Sequence, residues 1–148
     1  MEYGRNGYIL TEHDEGCKLT PYQDQGGVWT VGTGHTGDDF AHDQDITQEQ
    51  ADAFLKHDIQ KAVDGVNEAI TVNLSQDEFD ACVDLTFNIG VHAFTFSTVC
   101  RDLNDGRTEA AHDAIAAWDK VNGKPNRGLD HRRSDEMRLF DGEDSHGL

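Results

Sequence analysis

Three residues near the N-terminus have the types and spacing for glycosidic chemistry: Glu15, Asp24 nine residues later, and Thr30. Cleaving a bond between two sugars takes a protonated acid at the leaving oxygen. It also takes a carboxylate on the other side that handles a water or the sugar carbon. The acid must arrive protonated, a state that apolar neighbours and a second carboxylate both favour. Two acids nine apart carry little weight among 29 acidic residues, most of which are expected to be solvated surface groups. Their setting singles them out. Tyr22, Trp29 and five of the fifteen glycines share the segment from Lys18 to Gly37, a composition that a plain polar surface does not need.

Other chemistries find less support. His35 follows Gly34 at the end of that segment, and the remaining seven histidines are scattered. There is no H-E-x-x-H and no Cys/His ligand spacing, so zinc is not expected. The acidic stretch Asp38, Asp39, Asp43 and Asp45 lacks the glycine and terminal glutamate of an EF-hand loop and reads as a solvated run. Neither a metal nor a cofactor is expected.

The elements that would position the three residues follow from periodicity. Residues 5–17 read as a short helix with Ile9 and Leu10 on one side and Gly16 near its end, which puts Glu15 at the helix terminus. From Lys18 to Gly37 the pattern becomes that of a small hairpin or sheet. Val28, Thr30 and Gly32 fall on one face, and Trp29 and Val31 on the other. Pairing across Gly26-Gly27 would bring Asp24 and Thr30 together, with Glu15 facing them. Thr47 and Gln50 form a capping box ahead of a long helix carrying Ala51, Phe54, Leu55, Ile59, Ala62, Val63 and Val66. Ser75 and Glu78 form a second box, and Gly90 ends the helix it starts. Shorter helices are predicted over 96–104, 108–121 and 128–140, separated by Asn104-Asp105-Gly106 and Asn122-Gly123. The sum is an α+β fold in a single domain over 1–148. A small lobe of about 18–46 and a helical lobe of about 47–148, joined by the N-terminal helix, would flank a cleft suited to an extended polymer.

The stretch EGCKLTPYQDQGGVWTVGTGHT resembles the N-terminal signature of the phage-type lysozymes, glycoside hydrolase family 24. The shared positions are Glu15, Gly16, Leu19, Tyr22, Asp24, Gly27, Thr30, Gly32, Gly34 and His35. SQDEFDACVDLTFNIG, AFTFSTV and PNRGLDHRRSDEMRLF are similar to later family segments, so the resemblance runs from about residue 7 to 140. It implies that Glu15 is the general acid, that Asp24 assists the attacking water or stabilises positive charge on the sugar, and that Thr30 positions that water. It also implies inversion at the anomeric carbon. Asn88, Gly90, Asn126 and Gly34 are implied as substrate-binding. Asn88 reads equally as a C-capping amide, and the PNR of Asn126 as a simple turn. His35 is expected to be structural, orienting the hairpin, and Phe87 to be core. Arg132 and Arg133 are expected to pair with acids such as Asp135 and Glu136. Thr33 stands where the family often has an aromatic residue, which would loosen sugar stacking.

The formal net charge of -17 disfavours nucleic acid and anionic membrane surfaces as partners. It is compatible with solubility alone or with function in salty medium, where self-repulsion is screened. Cys17, Cys82 and Cys100 are too widely spaced for a ligand pair and read as reduced, buried thiols of a protein made in a cytoplasm. No apolar run suggests a membrane span or a secretion signal. The resemblance then implies a monomeric endolysin that accumulates in the host cytoplasm and reaches the peptidoglycan of the cell wall through a separate holin-type pore. The alternatives are a non-catalytic lysozyme-fold wall-binding protein and a chitinase-like hydrolase.

Overall fold

A computed structural model describes residues 1–144. Among them the chain forms an α+β fold of seven helices, a three-stranded sheet and a two-stranded sheet. It divides into two compact units, one spanning Thr11–Gln60 and the other made of Met1–Leu10 with the chain from Lys61 onward. None of the helices among the described residues is long and apolar enough to cross a membrane.

The Thr11–Gln60 unit holds the end of α1 (Arg5–Glu15), the sheet β1 (Lys18–Gln23), β2 (Trp29–Gly32) and β3 (His35–Thr36), and the first half of α2 (Gln48–Ala69). The strands run antiparallel in the order β1-β2-β3, with Tyr22 opposite Thr30, Gln23 opposite Trp29 and Thr30 opposite Thr36. The alternation predicted for β2 is not what the structure shows. Thr30, Val31 and Gly32 are all buried, and Val28 lies outside the strand. The reason is that α2 covers one side: Gly32 lies so close to Ala51 that a Cβ there would meet the Ala51 methyl at 3.4 Å. The predicted Thr47–Gln50 capping box is present, with Gln50 N donating to Thr47 Oγ1 at 3.1 Å and Thr47 N to Gln50 Oε1 at 2.8 Å.

The second unit is helical. α3 (Gln76–Ile89) opens on the Ser75–Glu78 capping box and is buried on all sides from Phe79 to Thr86, as befits a core helix. It packs against α7 (Arg127–Phe140). The start of α1 is capped by a side chain from α3: Gly4 N donates to Asp80 Oδ1 at 2.9 Å. Two expectations are corrected. The helix predicted over 96–104 starts two residues later, as α5 (Thr98–Asn104), because Ser97 caps it by accepting from Cys100 N, and a separate short helix, α4 (Val91–Thr95), precedes it. The helix predicted over 108–121 stops at Ile115 as α6 (Thr108–Ile115). Beyond it, β4 (Lys120–Val121) and β5 (Lys124–Pro125) pair across Asn122-Gly123, both at positive φ. An Asn-Gly pair is a strong hairpin signal, and here it outweighs helical periodicity. The cysteines also depart in part from expectation: all are free, but Cys17 is exposed just past α1 while Cys82 and Cys100 are buried.

Candidate active site

Glu15 is the last residue of α1 and is exposed. The helix ends there because Gly16 takes φ 71°, a left-handed conformation open to glycine at little cost, while its N–H still donates to Glu12 O at 2.9 Å. Glu15 is thereby presented from a rigid terminus rather than a loop. Across from it is the turn between β2 and β3. A Cβ added to Gly34 would come within 3.7 Å of Glu15 Oε2, and Gly34 has φ 75°. Any other residue would be strained in its backbone, and its Cβ would sit in van der Waals contact with the carboxylate.

Asp24 and Thr30 meet at a single residue, Val28. The β1–β2 hairpin closes across Gly26-Gly27, with Asp24 N donating to Val28 O at 2.9 Å and Gly27 N to Asp24 O at 2.9 Å. Asp24 Oδ1 accepts from Gly26 N at 2.8 Å and from Val28 N at 2.9 Å, an Asx-type turn. The hydroxyl of Thr30, 5% exposed, donates to Val28 O at 3.0 Å. With Oδ1 committed to the backbone, Asp24 holds its other oxygen on the exposed side of the turn. With its proton given to Val28, Thr30 offers lone pairs only.

Around this hairpin lies a set of aromatic and ionic contacts. Trp29 stacks on His42 at 4.4 Å, and the Lys18 ammonium sits 4.4 Å from the Tyr22 ring. His35 is 5% exposed, and its ring is parallel to Phe54 at 3.9 Å. Its Nδ1 meets Asp58 Oδ2 and its Nε2 meets Asp39 Oδ1, both at 2.7 Å. Burial alone would lower its pKa, but the two aspartates outweigh burial and raise it. The sequence reading named neither aspartate as a partner. Asp39, at i+4, was within reach of pattern reasoning, whereas Asp58 on α2 is made a neighbour only by tertiary packing. Among the described residues, none of the acids in the 38–45 stretch belongs to a group of three ligand-type side chains close enough to share an ion. Thr33 is 3% exposed and offers no stacking surface.

The remaining sequence candidates lie in the helical unit. Gly90 joins α3 to α4. Asn88 is exposed, but its Oδ1 is fixed by Arg133 Nη2 at 2.9 Å, so it is not the C-cap; that position is Gly90. Asn126 is the N-cap of α7, its Oδ1 accepting from Leu129 N at 2.9 Å. Arg133 belongs to a buried charge cluster. Its Nε lies 2.7 Å from Glu136 Oε1, while Arg132 grips Asp84 through Nε and Nη2 at 3.3 and 3.2 Å. Glu136 is thus the partner expected for these arginines, and Asp84 takes the place foreseen for Asp135. Phe87 is half-buried.

The pattern of the family described as phage lysozyme matches residues 12–136. An endolysin of Acyrthosiphon pisum secondary endosymbiont phage 1 is 43% identical over 145 residues, covering 95% of this chain and 99% of that one. An endolysin of Bacillus phage PZA is 39% identical over 142 residues; there the match covers 95% of this chain but spans only 55% of the relative. Among solved structures, the muramidase domain of SpmX from Asticaccaulis excentricus superposes with a TM-score of 0.86 at 36% identity, covering 94% of this chain and 97% of that one.

Proposed function

The chain belongs to the phage lysozyme family, and from that premise we propose that it is an endolysin-type muramidase, a glycoside hydrolase of peptidoglycan. Its substrate is the β-1,4 bond between N-acetylmuramic acid and N-acetylglucosamine, and its cleavage leads to lysis of the host cell. The convergence of Asp24 and Thr30 on Val28 carries this reading. A water that gives its two hydrogens to the outer oxygen of Asp24 and to Thr30 Oγ1 has a lone pair left to aim at the anomeric carbon. Glu15, held at the end of α1 against Gly34, gives its proton to the bridging oxygen as the bond breaks. Asp24 takes the proton that the water loses, and the charge of its carboxylate favours the oxocarbenium-like transition state. A water placed between carboxylate and sugar inverts the anomeric centre. No metal and no cofactor take part.

Asn88, Gly90, Asn126 and Gly34 bind the glycan in this reading. For Asn88, the Arg133 contact fixes the carbonyl oxygen and so orients the amide N–H₂ as a donor. The catalytic domain spans 1–148 and is monomeric in this reading. The protein is made in the host cytoplasm and gains the wall through a separate holin-type pore.

Reducing-end release from purified peptidoglycan tests the assignment, with wild type beside Glu15→Gln at low salt and at 1 M NaCl. The expected result is turnover by the wild type and its fall by about 10³-fold in the variant. A wild type silent at every salt concentration would instead mark a wall-binding protein.

A further inference from the structure

His35 stands between two residues that each touch a proposed reacting group. Gly34 before it lies against the Glu15 carboxylate, and Thr36 after it is the cross-strand partner of Thr30. The backbone of this short strand therefore forms a wall shared by the acid and the water-holding hydroxyl. What fixes the wall is the His35 side chain. Its ring lies flat on Phe54 of α2 and tilts against Phe40 of the loop after β3. Each of its nitrogens faces a carboxylate oxygen at 2.7 Å. A neutral imidazole has one N–H and would turn a lone pair toward one of those carboxylates. Only the imidazolium donates to both. The clamp is complete only while His35 is charged.

We propose that the charged His35, gripped by Asp39 and Asp58, is a positioning residue for the hydrolysis, setting Gly34 against Glu15 and Thr36 beside Thr30. The inference rests on the muramidase reading and adds a second titrating group to its pH dependence. The charged groups that face His35 are Asp39 from the loop after β3 and Asp58 from α2. His57 of α2 acts on Asp39, β2 contributes the uncharged Val31, and Glu15 of α1 lies beside Gly34. Both aspartates outweigh burial and hold the proton on beyond the pH at which a free imidazole loses it, so the clamp opens on the alkaline side of that point. Opening releases the wall without removing any group that reacts. It should lower kcat and leave KM nearly unchanged.

Nitrogen-15 NMR of the His35 ring reads the clamp without reference to activity, and muramidase pH profiles read its consequence. Asp39→Asn is the informative variant, because Asp39 is an exposed loop residue whose replacement spares the core. Asp43→Asn, an exposed acid of the same loop, removes the same charge elsewhere. In the wild type both ring nitrogens should be protonated at pH 7. Asp39→Asn should move the His35 titration and the alkaline limb of kcat down together, by about one pH unit. Asp43→Asn should leave both in place. A neutral His35 at pH 7, or an alkaline limb that stays put while the His35 titration moves, would overturn the positioning role and leave the muramidase reading standing. Absence of turnover in the wild type would remove the muramidase reading, and the positioning role with it, even with the clamp visible by NMR.

Discussion

Asp24 in the sheet unit and Glu136 in the helical unit are both carboxylates fixed by the fold, and they are fixed in opposite ways. Asp24 gives one oxygen to the backbone N–H groups of Gly26 and Val28 and keeps the other on an exposed turn. Glu136 is fully buried and gives both oxygens to arginines: Oε1 lies 2.7 Å from Arg133 Nε, and Oε2 accepts from Arg133 Nη2 at 3.1 Å. Burial and the neighbouring Asp84 push Glu136 well above the usual carboxylate range, against the pull of Arg133 and Arg132. A carboxylate with an oxygen to spare can do chemistry. One whose oxygens both face arginines in the interior can only hold elements together, here within the packing of α3 on α7.

The contrast breaks most visibly at Arg133. Replacing it by Met strips Glu136 of its closest partner inside the core, and Asn88 and the Trp118 carbonyl lose a donor as well. Removing one member of a buried pair costs about 3–5 kcal/mol, to be read as the loss in unfolding free energy by denaturant titration. The double variant Arg133→Met, Glu136→Leu should recover much of that loss, because no uncompensated charge remains. A single variant as stable as wild type would show that the cluster does not hold the helical unit together.

The matching change in the sheet unit should leave stability alone and remove activity. In Asp24→Asn the amide oxygen still accepts from Gly26 and Val28, so the turn survives. The lost charge leaves the water without its base, and turnover should fall by about 10²-fold or more with stability within about 0.5 kcal/mol of wild type. If instead stability drops by several kcal/mol, Asp24 belongs with Glu136 as a structural acid, and the division between the two regions fails.

The parts of the molecule that could be read from sequence are those with local causes. Glu15 at a helix end, the hairpin over Gly26-Gly27, both capping boxes and the stop at Gly90 depend on residues within a few positions of one another. The α+β class followed from them. What escaped depends on packing between distant segments. Asp58 meets His35 only because α2 folds back on the sheet, and Asp84 replaces the nearer Asp135 as the partner of Arg132 because α3 and α7 share a core. Burial of β2 on both faces has the same origin, since its alternation is overridden by the close approach of Ala51 to Gly32. The β4–β5 hairpin is the exception. Its Asn122-Gly123 signal is local and reads as a break between helices, whereas the residues on either side of it pair as strands.

The smallest effect should separate the two units by charge. The Thr11–Gln60 segment carries eleven of the acidic residues against two lysines, Lys18 and Lys56, in about a third of the chain. The rest is closer to balance, and four of its buried charges, Arg132, Arg133, Asp84 and Glu136, are paired in one cluster. Screening therefore has more repulsion to relieve in the sheet unit. Raising the salt to 1 M shortens the Debye length to about 3 Å and suppresses repulsion between exposed acids. It also weakens the exposed arm of the His35 clamp at Asp39, but that is one pair against many like charges, and the Asp58 arm is more shielded. Amide hydrogen exchange should thus show protection rising with NaCl by up to about 1 kcal/mol in the Thr11–Gln60 unit, and by less in the helical one. An equal rise in both would trace the salt response to a general effect on burial. A fall confined to the sheet unit would mean that the His35 pairs outweigh the repulsion, and that the acidity of this segment is not an adaptation to salt.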